Sequence, residues 1–197
     1  MLTLSPTHID PSLRSINSSL MIRHSQAWIL TILFLFAVPS VHAQEAETDT
    51  VAKKAISELA FITGDWSGSG WMMGRDGQKH AFEQTEKISF KLDSTAILIE
   101  GMGQAEGKTI HNALAIVTYN KADGKFNFRS YLASGRSGDY DAELIDGGFH
   151  WYPNENMRYI IRLNEKGQWY EKGEMKRGDD WFQFFEMTLD KDQDHSK

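Results

Sequence analysis

The sequence predicts an all-β fold, an antiparallel up-and-down barrel of about ten strands with one short N-terminal helix. Three observations predict it. From Gly64 onward the apolar residues alternate with period two. Turn chemistry recurs every 8–12 residues or so, the spacing of sandwiches and barrels. Beyond one early segment no stretch has the length and periodicity of a crossover helix, so an antiparallel meander is the economical topology. A meander of this many strands gains by closing on itself, because closure removes exposed edges.

The single helix is read over Thr50–Phe61, TVAKKAISELAF. Val51, Ala55, Ile56, Leu59 and Ala60 recur at helical spacing, Asp49 or Thr50 can cap the start, and Gly64 stands just past the end. The first strand follows in GDWSGSGW. HAFEQTEKISFKL places His80, Phe82, Gln84, Glu86, Ile88, Phe90 and Leu92 on one face. TAILIEGMGQ comes after a turn at Asp93-Ser94, and TIHNALAIVTY after that. Asp123-Gly124 marks a hairpin turn with the positive φ such turns want. KFNFRSYLAS, GDYDAELI, FHWY, MRYIIRL, QWYEKGEMK and WFQFFEMTL complete the series.

The front of the chain reads differently. In residues 21–43, Arg23 and His24 make a short basic start, Ala27 to Val38 is apolar apart from Thr31, and Val41 and Ala43 hold the small-residue positions before a cut ahead of Gln44. That is the anatomy of a secretory signal peptide, cleaved after Ala43. The apolar run is short of the roughly 20 residues of a membrane span, which counts against an uncleaved anchor. Residues 1–20 are polar and unpatterned, so Met21 is the expected start. Residues 44–197 then form a single barrel domain, exported and periplasmic, with no membrane span after cleavage.

The 197-residue chain has a net charge of −6, and residues 1–43 hold only Arg14, Arg23 and Asp10, so the domain is slightly more acidic than the whole. That argues against nucleic acid as a partner. There is no cysteine, hence no disulfide, thiolate zinc site or lipidated Cys.

A short helix followed by Gly-x-Trp on the first strand resembles the lipocalin-like (calycin) proteins, where the helix closes one barrel end and the tryptophan packs across the base. Here the motif is Gly64-Asp65-Trp66. The longer form L-x-x-x-x-G-x-W-x-G-x-G, matched from Leu59 to Gly70, is similar to the opening strand of nitrobindin-like barrels and of exported bacterial lipocalin-like domains. The resemblance implies that Gly64 and Trp66 form the barrel plug. It also raises haem, which nitrobindin-like proteins bind through a histidine late in the barrel. Residues 156–190 contain no histidine and His150 is the nearest, so haem is disfavoured and no cofactor is expected.

Candidate site residues come from polar side chains in phase with apolar ones. Glu86 shares the face of Phe82 and Ile88, Glu100 that of Leu98 and Met102, and Glu171 that of Trp169 and Met175. An inward carboxylate is costly unless paired or hydrogen-bonded, and Arg129, Arg158 and Arg162 are strand residues able to pair with it. If instead the alternate faces point inward, these charges lie in water. His111 lies on a row of small residues with Ala113 and Ala115, and His150 sits beside Trp151. Trp71, Tyr131 and Tyr159 are candidate aromatic walls; packing in the core is the competing reading for the tryptophans. No histidine pair has metal-ligand spacing, so no metal site is expected, and Asp139 with Asp141 in GRSGDYD falls short of a calcium pattern. No G-x-S-x-G elbow or phosphate loop occurs.

Three functions are compatible with this reading. The first is binding of a small, largely apolar ligand in the cavity. The second is a small periplasmic enzyme using inward carboxylates or His as acid and base. The third is a barrel filled by its own side chains and serving as an interaction module. Aromatics make up 12% of the chain, and those of Trp181–Phe185 fall on both strand faces, which would suit a homodimer.

Overall fold

A computed structural model describes residues 47–193. The expected signal peptide, its expected cleavage point and His195 lie outside the described residues. Within them the chain forms a helix α1 (Thr50–Ser57), a 3-10 turn (Ala60–Ile62) and ten strands. These are β1 (Gly64–Met73), β2 (Lys79–Lys91), β3 (Ala96–Ala105), β4 (Lys108–Asn120) and β5 (Lys125–Leu132). They continue with β6 (Ser137–Ile145), β7 (Gly148–Asn154), β8 (Met157–Leu163), β9 (Trp169–Arg177) and β10 (Asp180–Lys191). Every strand pairs antiparallel with its sequence neighbour, and β1 pairs with β10 to close the barrel. No helix among the described residues is long and apolar enough to cross a membrane.

The helix is shorter than the sequence reading. Asp49 caps it, accepting from the backbone N–H groups of Val51 (3.0 Å) and Ala52 (3.1 Å). It ends at Ser57, and the remaining apolar residues continue in the 3-10 turn. This arrangement turns Ile56, Leu59 and Ile62 fully inward against one end of the barrel. Lys53 reaches Asp93 and Lys121 reaches Asp49, tying the helix to the β2–β3 and β4–β5 turns at that end. The exposed ion pairs orient more than they stabilise.

Trp66 lies at the same end and is 1% exposed. Its indole N–H donates to the Ile62 carbonyl at 2.9 Å, and its ring meets Trp169 edge-on at 6.0 Å. Burying so large a side chain contributes roughly 3 kcal/mol or more. Around this plug the core runs through Ile88, Ile97, Val117, Phe126, Phe149 and Leu189.

Two glycines of β1 explain why SGSG precedes the second tryptophan. A Cβ on Gly68 would strike the Thr188 carbonyl, and one on Gly70 the Glu186 carbonyl and the ring of Phe82. The strand must lie bare against β10 at these points. Trp71, in the opposite phase, stands on the outer surface under Lys79 (3.5 Å from Nζ to the ring centre).

Candidate functional site

The interior above the plug is a cavity of about 530 Å³. Strand directions define its two ends. The β2–β3, β4–β5, β6–β7 and β8–β9 turns lie at the plugged end. The β1–β2, β3–β4, β5–β6, β7–β8 and β9–β10 turns ring the other, where Met72, Ile110, Arg136 and Met157 border the opening.

One wall is aromatic. Trp151 is stacked between Phe128 (4.6 Å, 10°) and Tyr159 (4.4 Å, 6°). Tyr159 in turn meets Phe184 and Phe185 edge-on, both at 5.6 Å. A bulge in β10 between Gln183 and Phe185 brings these two successive phenylalanines to the same ring. Gly173 makes the room: a Cβ there would meet Tyr159, Phe184 and Phe185 at 2.8–3.0 Å. The opposite wall holds Ile99, Ala113 and Ala115.

The floor is acidic. Glu86 on β2 and Glu171 on β9 both point into the cavity just above Trp66 and Trp169. Gln84 donates to Glu86 Oε1 at 2.7 Å. Glu86 Oε2 is buried and has no hydrogen-bond partner, the one such side-chain atom among the described residues. Across from it β3 carries Gly101, where a Cβ would sit 2.7 Å from the carboxyl. Trp169 Nε1 donates to Glu171 Oε2 at 3.3 Å. Burial pushes Glu86 up to about 7, the Gln84 hydrogen bond partly offsetting it. Burial, with the charge of Glu86 added, pushes Glu171 up to about 8. Near neutral pH the pair therefore shares protons rather than standing doubly ionised. Burial and the negative charge of Glu171 also raise the Tyr159 phenol above its ordinary value.

Of the residues singled out from the sequence, Glu86, His111, Tyr159 and Glu171 line the cavity. Gly64 and Trp66 sit at the plugged end. Five others need correction, because the structure puts them on the outer face. Glu100 is exposed; on β3 it is Ile97, Ile99, Gly101 and Gly103 that face inward. Arg129 and Tyr131 alternate with the inward Phe126, Phe128 and Ser130, and Arg129 pairs instead with Asp139 at 3.6 Å. His150 lies between the inward Phe149 and Trp151. Trp71 points away from the cavity as described. Nor do Arg158 and Arg162 enter: Arg158 binds Glu174 at 2.7 Å, and Arg162 lies over Tyr170. Among the described residues the inner carboxyls thus have no cation partner in the floor. The aromatic run of β10 is used up within the fold, with Trp181 under Arg158 and only Phe182 strongly exposed, at 46%.

Sequence reasoning missed Gln84 as the group that holds Glu86, and Trp151 as the centre of the aromatic wall. Gln84 was legible as a polar residue in phase with Phe82 and Glu86. Trp151 carried no signal beyond its type.

No protein-family model matches the chain, and no curated protein matches it. Solved structures do. Rv2717c from M. tuberculosis superposes with a TM-score of 0.53 at 11% identity, over 71% of this chain and 98% of that one. The S-type phycobiliprotein lyase CPES from Guillardia theta gives 0.51 at 11% identity, over 75% and 99%. At that identity the likeness is one of fold. It agrees with the closed ten-strand antiparallel barrel, which fits a lipocalin-like calycin fold.

Proposed function

We propose that this chain is an exported binding protein that holds a small, largely apolar ligand inside its barrel. The observation that carries the reading is the cavity itself. Its volume of about 530 Å³ falls within the roughly 300–1,000 Å³ of small-molecule sites. Its walls are aromatic and aliphatic, with a few polar groups gathered at the floor, which is the composition of a pocket that desolvates a ligand and fixes one end of it. An interior with this much space does not favour the self-filled interaction module. The likeness to a phycobiliprotein lyase is compatible with a small-molecule role and does not name the molecule. Export rests on residues 21–43 alone; N-terminal sequencing of protein recovered from a periplasm should begin at Gln44.

Titration with the apolar fluorophore N-phenyl-1-naphthylamine tests the binding reading. Saturable enhancement that disappears in Ala113→Trp, a cavity-filling change checked by its melting curve, supports it. Enhancement that is absent, or identical in the filled variant, rejects it. The enzyme reading keeps one specific support, since two carboxyls sharing protons near neutrality are suited to acid–base work.

A further inference from the structure

Resting on that reading, we infer that the ligand carries a nitrogen head group, a primary ammonium or amidinium, seated between Glu86 and Glu171 with its apolar body against the Trp151 wall. The geometry supplies the reasons. Glu86 is held on one oxygen by the Gln84 amide, and Glu171 takes the Trp169 indole N–H with the Trp151 indole N–H also beside it. Glu86 keeps its other oxygen in reserve, buried without any partner. A buried acceptor left unmade costs about 1–3 kcal/mol, so it marks a place where a donor belongs.

The surroundings exclude the protein's own side chains as that donor. Gly101 faces Glu86 from β3 and has nothing to offer, and any side chain there would collide with the carboxyl. From β1 comes Trp66, whose N–H is already given to Ile62. The titratable and charged groups lining the cavity besides the pair are His111, Arg136, Tyr140 and Tyr159. Arg136 belongs to the β5–β6 turn at the open end, and His111 lies near the start of β4, also toward that end. The floor therefore presents two acids and no base among the described residues. An anionic head would meet repulsion from whichever carboxyl is ionised, and a purely apolar one would leave the free Glu86 oxygen unpaired. A head with two or more N–H donors satisfies the free Glu86 oxygen and reaches the Glu171 carboxyl, and a positive charge stabilises both carboxylates.

Proton bookkeeping adds a signature. The pair holds protons near neutral pH because burial and mutual repulsion disfavour its charge. A cation arriving between the carboxyls reverses that balance, so a proton leaves the pair for the buffer as the complex forms. A neutral ligand of the same shape releases none.

The experiment is a matched calorimetric titration of the full chain with 1-naphthylmethylammonium, 1-naphthalenemethanol and 1-naphthoate, near neutral pH, in two buffers of different ionisation enthalpy. The ammonium is expected to bind about tenfold or more tighter than the alcohol, with the naphthoate weakest. It should release close to one proton, and the alcohol none. In the double variant Glu86→Gln/Glu171→Gln the ammonium should bind no better than the alcohol and release no proton. If that variant fails to fold, the wild-type proton count decides. Alcohol binding without preference for the ammonium, or ammonium binding without proton release, overturns the head-group inference and leaves apolar binding standing. Failure of all three, together with failure of N-phenyl-1-naphthylamine, overturns both.

Discussion

Glu171 and Glu174 lie three residues apart on β9, and each is 7% exposed, yet they are opposites. Three residues along a strand is an odd step, so Glu171 faces the cavity and Glu174 the outer surface. Glu174 is clamped by Lys172 (2.6 Å) and Arg158 (2.7 Å), and Arg158 in turn lies over the Trp181 ring. Burial pushes Glu174 up, but the hydrogen bonds and charges of those two cations outweigh it, and its pKa is lowered. Glu171 is as little exposed but lies deeper, with indole donors and no cation, and its pKa is raised. Depth and the supply of cations together decide a carboxyl's state. Outside, the fold provides them. Inside, it leaves the place open.

The contrast can be broken most severely at Trp169. Trp169→Ala removes the donor to Glu171 and half of the Trp66–Trp169 floor, and is expected to cost about 3–5 kcal/mol in chemical denaturation. A loss under about 1 kcal/mol would mean that the floor is not packed as described.

Of the same size, glutamate for glutamate, is the pH dependence of the inner pair. Both glutamates have folded-state pKa values above the ordinary one, so the folded chain keeps protons that the unfolded chain releases. Their contribution is fully present below about 4.5 and is lost as the pH rises through about 7 to 8. Across that window stability should fall by about 3–5 kcal/mol for each of the two glutamates in the ligand-free protein. Glu86→Gln/Glu171→Gln should flatten the curve, and a wild-type curve that rises instead would refute the burial of the pair.

On the outside the sign is reversed. Arg158→Met strands Glu174 with one cation, and a loss of about 1–3 kcal/mol is expected at neutral pH. The loss should shrink in acid, where Glu174 takes up its own proton. An equal loss at both pH values would assign Arg158 to packing on Trp181 rather than to charge.

Smallest is Arg129→Ala. Its pair with Asp139 is half exposed on both sides, so a change below about 0.5 kcal/mol is expected, with no effect on probe binding. A weakened probe complex would return Arg129 to the site.

The same two faces explain how much was legible in the sequence. The barrel, its strand number and its plug follow from alternation, turn residues and the Gly64-Asp65-Trp66 motif, because these are local properties. Glu86 and Glu171 were legible because their inner-face neighbours, Phe82 and Ile88 or Trp169, are unmistakably apolar. Glu100 misled because both faces of β3 are apolar: Leu98 and Met102 flank it, while the true inner face ends in Gly101 and Gly103. Glycine carries no hydrophobic signal, yet here it creates the space. Arg129, Tyr131 and His150 failed for a different reason. Their strands place aromatics inward at the adjacent positions, and residue type alone does not reveal which side of a strand a cavity occupies.

The seam between β1 and β10 has a consequence in time. Trp66 pairs with Lys191, so the last edge to be sealed joins residues 125 positions apart in sequence, whereas every other strand pair is a hairpin. Hairpins form in roughly microseconds, but bringing distant segments together carries a larger entropic toll and slows folding toward the millisecond-to-second range. The cavity exists only once that seam is shut. A ligand that needs both β2 and β9 therefore has nothing complete to grip until the chain's slowest step is over, and its effect should fall on the unfolding rate and not on the folding rate.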